Sequence, residues 1–133
     1  MIPIVLDTNV LVSGLLNKKG PPGKIMELML QREIILCLDR RIRDEYQRVI
    51  RRPELKIDKA EADRVLDFIL ENSVFIKASP VNIELPDPGD LMFIEVALKA
   101  NTIIVTGNKR HFPAYAIGKN LVLSPAEFLE QIQ

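Results

Sequence analysis

Two short apolar runs that stop abruptly at polar triplets constrain this chain most: Ile2–Leu6 gives way to Asp7-Thr8-Asn9, and residues 102–105 give way to Thr106-Gly107-Asn108. A run of consecutive apolar residues has no side left for solvent, so a strand built from it must be covered on both faces. Strands of that kind belong to parallel sheets, whose crossover connections are helices.

The segments between the runs supply those helices. Val10, Leu11, Leu15 and Leu16 recur at helical spacing, and Gly20-Pro21-Pro22-Gly23 punctuates the chain before a second stripe of Ile25, Leu28 and Met29, ending near Arg32. Residues 33–38 read as the second strand. Asp39 is placed to cap the next helix, in which Ile42, Tyr46, Val49 and Ile50 face inward, and Pro53 ends it. Asp58 opens another helix with Val65, Leu66 and Ile69 on its inner side, and a short strand is expected at 74–76. Asp87-Pro88-Gly89-Asp90 carries helix-start chemistry with Pro88 at the first helical position, ahead of a stripe of Phe93, Ile94, Ala97 and Leu98. A last strand at 121–123 precedes Ser124-Pro125-Ala126-Glu127, which has the spacing of a capping box. The order predicts a single α/β domain over residues 1–133: a three-layer α/β/α sandwich around a central parallel sheet of four to five strands.

Composition narrows the function classes. At 133 residues, 47% hydrophobic and 27% charged, the chain suits one folded domain rather than a disordered or fibrous polymer. No apolar run approaches the ~20 residues of a membrane span, and Met1 leads directly into Ile-Pro-Ile-Val-Leu, so the expectation is a cytoplasmic protein without a membrane partner. The single cysteine, Cys37, lies in the apolar run Ile34–Leu38 and reads as a buried strand residue. The 18 basic and 18 acidic residues cancel, so any contact with nucleic acid must be local. Arg40, Arg41, Arg43, Arg48, Arg51 and Arg52 crowd one stretch, where a solvated helix face accounts for several of them, while Glu84, Asp87 and Asp90 share another.

In open parallel sheets ligands gather beyond the carboxyl ends of the strands, where the chain order reverses. Asp7 follows the first strand, Asn108 follows the fourth, and Asp90 begins the helix leading into the fourth, so all three are expected at one rim. Each has a plainer explanation alone: Asp7 as a turn cap, Asp90 as an acid at a helix start, Glu45 as a partner of Arg41 or Arg48. Together they repel unless a cation lies between them, one pair at ~4 Å interacting by about 4 kcal/mol at an effective dielectric of 20. An oxygen-only donor set suits Mg²⁺ or Mn²⁺, which leaves the lone His111 out of the expected ligands.

Asp7-Thr8-Asn9, Glu45-Tyr46, Asp90 with Phe93-Ile94-Glu95-Val96-Ala97, and Val105-Thr106-Gly107-Asn108 together resemble the PIN domain, and within it the VapC-like toxins of toxin–antitoxin pairs. The likeness runs nearly end to end, through Pro53 to Ser124-Pro125-Ala126-Glu127-Phe128-Leu129, and rests on the order and spacing of motifs rather than on any one. It implies a Mg²⁺- or Mn²⁺-dependent ribonuclease acting on single-stranded RNA, with Asp7, Glu45 and Asp90 as metal-binding acids and Asn9 and Thr106 in support. Asn108 takes the fourth catalytic place, where the family often has aspartate; it keeps an oxygen acceptor and loses a charge. By the same likeness the chain forms a homodimer and is silenced by an antitoxin protein. Lys109 and, behind it, Arg110 are placed to meet a phosphate, and Arg40, Arg41 and Arg43 to guide RNA.

Two rivals remain at this level. A haloacid-dehalogenase-type phosphatase also carries an aspartate after its first strand but expects a second two residues on, where this chain has Asn9. A PIN-like module that binds RNA or protein without cutting is the other, motivated by Asn108.

Overall fold

The first strand, β1 (Ile2–Leu6), occupies the centre of the sheet, as its unbroken apolar run requires: Ile4, Val5 and Leu6 are fully buried. A computed structural model describes residues 1–118 and 120–132. Among these, α1 (Thr8–Leu16) and α2 (Pro21–Leu30) lead to β2 (Ile34–Leu38), and α3 (Arg40–Ile50) and α4 (Lys59–Asn72) to β3 (Val74–Phe75). After an irregular stretch come α5 (Leu91–Ala100), β4 (Ile103–Val105), the short α6 (Ala114–Ile117), β5 (Val122–Leu123) and α7 (Pro125–Gln131).

Among the described residues the strands form one five-stranded sheet in the order β3-β2-β1-β4-β5, every neighbouring pair parallel. The predicted α/β architecture is therefore the observed one, with helices flanking the sheet. The chain works outward from β1 to β3, then returns past β1 to β4, so its direction reverses between β1 and β4. Truncating Leu6 to alanine in this central strand would cost about 2–5 kcal/mol, the range for a large buried aliphatic.

Local signals behave as their chemistry dictates. Asp39 caps α3, its side chain accepting from Ile42 N at 3.1 Å, and Ser124 and Glu127 form the reciprocal capping box that opens α7. Cys37 is buried. Boundaries shift where side chains offer the backbone something else. Pro88 does not start α5: Asp87 Oδ1 accepts from Gly89 N at 2.9 Å and draws Pro88–Asp90 into a 3-10 turn, so the helix begins at Leu91. Thr102 does not join β4 either. The left-handed Asn101 (φ 53°) turns the chain out of α5, Thr102 N bonds Ala97 O at 3.1 Å, and the Thr102 hydroxyl donates to the Pro3 carbonyl.

Candidate metal centre

The reversal between β1 and β4 puts Asp7 and Thr106, the residues just beyond those strands, side by side. The Thr106 hydroxyl donates to Asp7 Oδ2 at 2.7 Å, joining residues 99 positions apart. The same hydroxyl oxygen accepts from Asn108 N at 3.0 Å, which tightens the turn after β4. Asp7 sits at the N-cap of α1 without a side-chain cap hydrogen bond, and the donor that holds its carboxylate is the Thr106 hydroxyl. Burial pushes its pKa above the usual carboxylate range; the Thr106 hydroxyl, the Asn9 and Thr8 amides and His111 pull the other way.

Glu45 reaches the same rim from α3. The buried Tyr46 hydroxyl donates to the Leu6 carbonyl and fixes α3 against the end of β1, and the Thr8 hydroxyl donates to Glu45 Oε2. Arg48 Nη2, on an exposed side chain, stands 3.6 Å from Oε1 of the partly buried Glu45, whose other oxygen takes the Thr8 hydroxyl.

Asp90 is the unsatisfied member. It is 9% exposed, carries no side-chain cap bond to α5, and among the described residues its Oδ2 is the one buried side-chain polar atom without a hydrogen bond. His111 Nδ1 lies 3.0 Å from that oxygen, but the ring N–H is out of line with it. Burial, then the charges of Asp7 and Asp87, push the Asp90 carboxyl up to about 6; Glu45 adds to the rise and His111 opposes it. A buried oxygen with repelling neighbours and no donor fits a bound cation.

Asp7 and Glu45 act on Asp90 through charge. The set whose potential ligand atoms all lie within 4.8 Å of one another is Asp87, Asp90 and His111. Sequence reasoning left Asp87 and His111 out; Asp87, three residues before Asp90, was visible, whereas His111 is brought in only by the 3-10 turn Lys109–His111. Asn108 Nδ2 approaches His111 Nε2 to 3.0 Å. Asn9 is exposed on α1, and among the described residues its side chain makes no hydrogen bond to the rim.

The basic residues divide. Arg41 binds Glu95 Oε1 at 2.7 Å and Asp39 Oδ2 at 2.7 Å, Arg43 binds Asp44 at 3.0 Å, and Lys109 binds Glu127 at 3.0 Å. Arg40 is exposed and, among the described residues, has no acidic partner within 4.0 Å.

The model of the PIN domain matches residues 3–110, which include Asp7, Glu45, Asp90 and Asn108. The chain belongs to the PIN domain family. PIN domains are in general nucleases that bind divalent metals, and the acidic rim is compatible with both properties. An uncharacterized protein of Methanocaldococcus jannaschii is 32% identical over 143 aligned positions, spanning 99% of this chain and 92% of that protein. The crystal structure of VapBC2 from Rickettsia felis, bound to a DNA fragment from its promoter, contains a chain with the same PIN fold: TM-score 0.57, 19% identity, 93% of this chain and 98% of that one. No helix among the described residues is long and apolar enough to cross a membrane.

Proposed function

We propose that this PIN domain is a Mg²⁺- or Mn²⁺-dependent endoribonuclease that cuts single-stranded RNA and works as the toxin of a toxin–antitoxin pair. The observation that carries the catalytic part is the buried, unpartnered Oδ2 of Asp90, raised in pKa by burial and by the charge of Asp7. The toxin role, the antitoxin partner and the homodimer draw support from the likeness to VapC proteins, of which VapBC2 is a solved example.

A divalent cation bound among Asp7, Glu45 and Asp90 would supply Lewis-acid stabilisation of the charge that builds on a phosphodiester under attack by water. The chain's own groups set the conditions for that. Thr106 orients the Asp7 carboxylate and Thr8 orients Glu45, so two acids keep fixed directions before any ligand arrives. Asn108 offers an amide beside the rim without another charge to be neutralised. Arg40 stands free to meet a backbone phosphate, whereas Arg41, Arg43 and Lys109 must leave acidic partners to do so.

Incubating the purified chain with unstructured RNA and either cation tests the reading. Cleavage should appear with Mg²⁺ or Mn²⁺, vanish with a chelator, and fall on the order of 100-fold or more in Asp7→Asn and Asp90→Asn. Activity that survives equally in both variants would refute it. A silent binding module is the second reading, favoured by Asn108 in the fourth acidic place: RNA or protein binding without cleavage under any of these cations would establish it.

A further inference from the structure

Asp90 Oδ2 and His111 Nδ1 lie 3.0 Å apart without a hydrogen bond between them. A carboxylate–imidazole pair acting as a dyad would align the ring N–H with the oxygen; here it does not. Two ligand atoms side by side at this spacing match the edge of a coordination shell, since cis ligands about 2.1 Å from an octahedral ion sit roughly 3.0 Å apart. The buried, orphaned Asp90 oxygen is aimed at this point, and Asp87 completes the set within 4.8 Å.

The neighbours of the three residues suit them to the task. Asp87 Oδ1 accepts from Gly89 N at 2.9 Å, and among the described residues its second oxygen accepts no hydrogen bond. A Cβ at position 89 would come within 3.2 Å of that Oδ1, so glycine lets the carboxylate fold back over the turn. His111 can offer Nδ1 as a ligand only when its proton is on Nε2, and Nε2 faces the Asn108 side-chain amide at 3.0 Å. Amide oxygen and nitrogen exchange places by a flip, and with the oxygen toward Nε2–H the asparagine holds the imidazole in the ligating tautomer.

We propose that Asp87, Asp90 and His111 form a mixed oxygen–nitrogen site that selects Mn²⁺ over Mg²⁺, with Asn108 orienting the imidazole. The inference rests on the reading of the rim as a cation-dependent nuclease centre and adds to it a cation preference and two ligands, Asp87 and His111, that share Asp90 with Asp7 and Glu45. Imidazole nitrogen favours first-row transition ions, while Mg²⁺ prefers oxygen donors, so one histidine in an otherwise carboxylate set shifts preference toward Mn²⁺.

Binding of Mn²⁺ to the full chain without RNA, followed by loss of the electron paramagnetic resonance signal of the free ion, tests this directly, with Mg²⁺ as competitor. The wild type should prefer Mn²⁺ by about tenfold or more. His111→Ala should lose about tenfold in Mn²⁺ affinity and keep its Mg²⁺ affinity within about twofold. Pulsed resonance of the Mn²⁺-loaded wild type should show coupling to a histidine nitrogen, a readout independent of any variant's folding. No nitrogen coupling, or unchanged Mn²⁺ affinity in His111→Ala, overturns the site. RNA cleavage measured separately keeps the two readings apart. Mn²⁺ bound through nitrogen by a chain that cuts no RNA supports this site and defeats the nuclease reading, and metal-dependent cleavage with no such coupling does the reverse.

Discussion

Asp90 and Glu95 lie five positions apart, one at the N-cap of α5 and one within it, and both are buried, at 9% and 5% exposure. Their surroundings are opposite. Glu95 has a donor on each oxygen: Arg41 Nη1 at 2.7 Å on Oε1, and Val81 N at 2.8 Å on Oε2. It ties α3 and the irregular stretch before the 3-10 turn to α5. Asp90 has an oxygen with no donor and three further acids acting on it, Asp7, Asp87 and Glu45. A buried acid that serves the fold arrives with its partners in the chain; one that serves a ligand leaves a coordination place open.

The largest expected effect separates the two in activity. Asp90→Asn should abolish RNA cleavage while the protein stays folded, and Glu95→Gln should keep cleavage within a few-fold. Equal loss in two well-folded variants would erase the distinction.

Stability should separate them in the other direction. Glu95→Ala removes two charge-assisted hydrogen bonds and leaves the Val81 N–H without its partner, for a loss of about 2 kcal/mol in urea unfolding, held down by the half-exposed Arg41. Asp90→Asn should leave the metal-free protein as stable as the wild type or more so. A large destabilisation by Asp90→Asn would give Asp90 a structural role.

The same contrast depends on pH. Because the folded protein raises the Asp90 pKa to about 6, it binds this proton more tightly than the unfolded chain does. The associated stability is fully present below the ordinary carboxylate pKa and is lost as pH rises through about 6. Asp7, raised in the same direction, adds to that loss. Metal-free wild type should therefore decline relative to Asp90→Asn between about pH 4 and pH 7, and saturating Mn²⁺ should close the gap. Thermal melts across that range with and without the cation read it, and a gap independent of pH would contradict the origin given for the shift.

Two smaller effects sharpen the picture of the rim. Asn108→Asp adds a negative charge beside His111 and should lower the metal concentration for half-maximal cleavage by roughly threefold, a change worth less than 1.4 kcal/mol. An unchanged titration would place residue 108 outside the metal's influence. Arg40→Ala should weaken RNA binding by about two- to threefold and reduce the salt dependence by about one phosphate contact, since each such contact adds a similar increment to the slope. An unchanged slope would remove Arg40 from the RNA path.

The sequence by itself determined the sheet and its helices. Continuous apolarity in Ile2–Leu6 called for a strand covered on both faces, as Ile4, Val5 and Leu6 are while Ile2 and Pro3 stay exposed, and the caps at Asp39 and Ser124 act within three residues of themselves. Such signals are local, so they survive without knowledge of the rest of the chain. It also pointed to Asp7, Glu45 and Asp90 through motif order, with Thr106 in support and Arg48 as a candidate partner of Glu45. Only the tertiary structure decided that Thr106 would hold Asp7, that Arg41 would be drawn to Glu95, and that His111 would come beside Asp90. Thr106 and Asp7 are 99 residues apart and Arg41 and Glu95 are 54 apart. Contacts over such separations follow from strand register and helix packing, which depend on the whole core at once and leave no periodic trace at either residue.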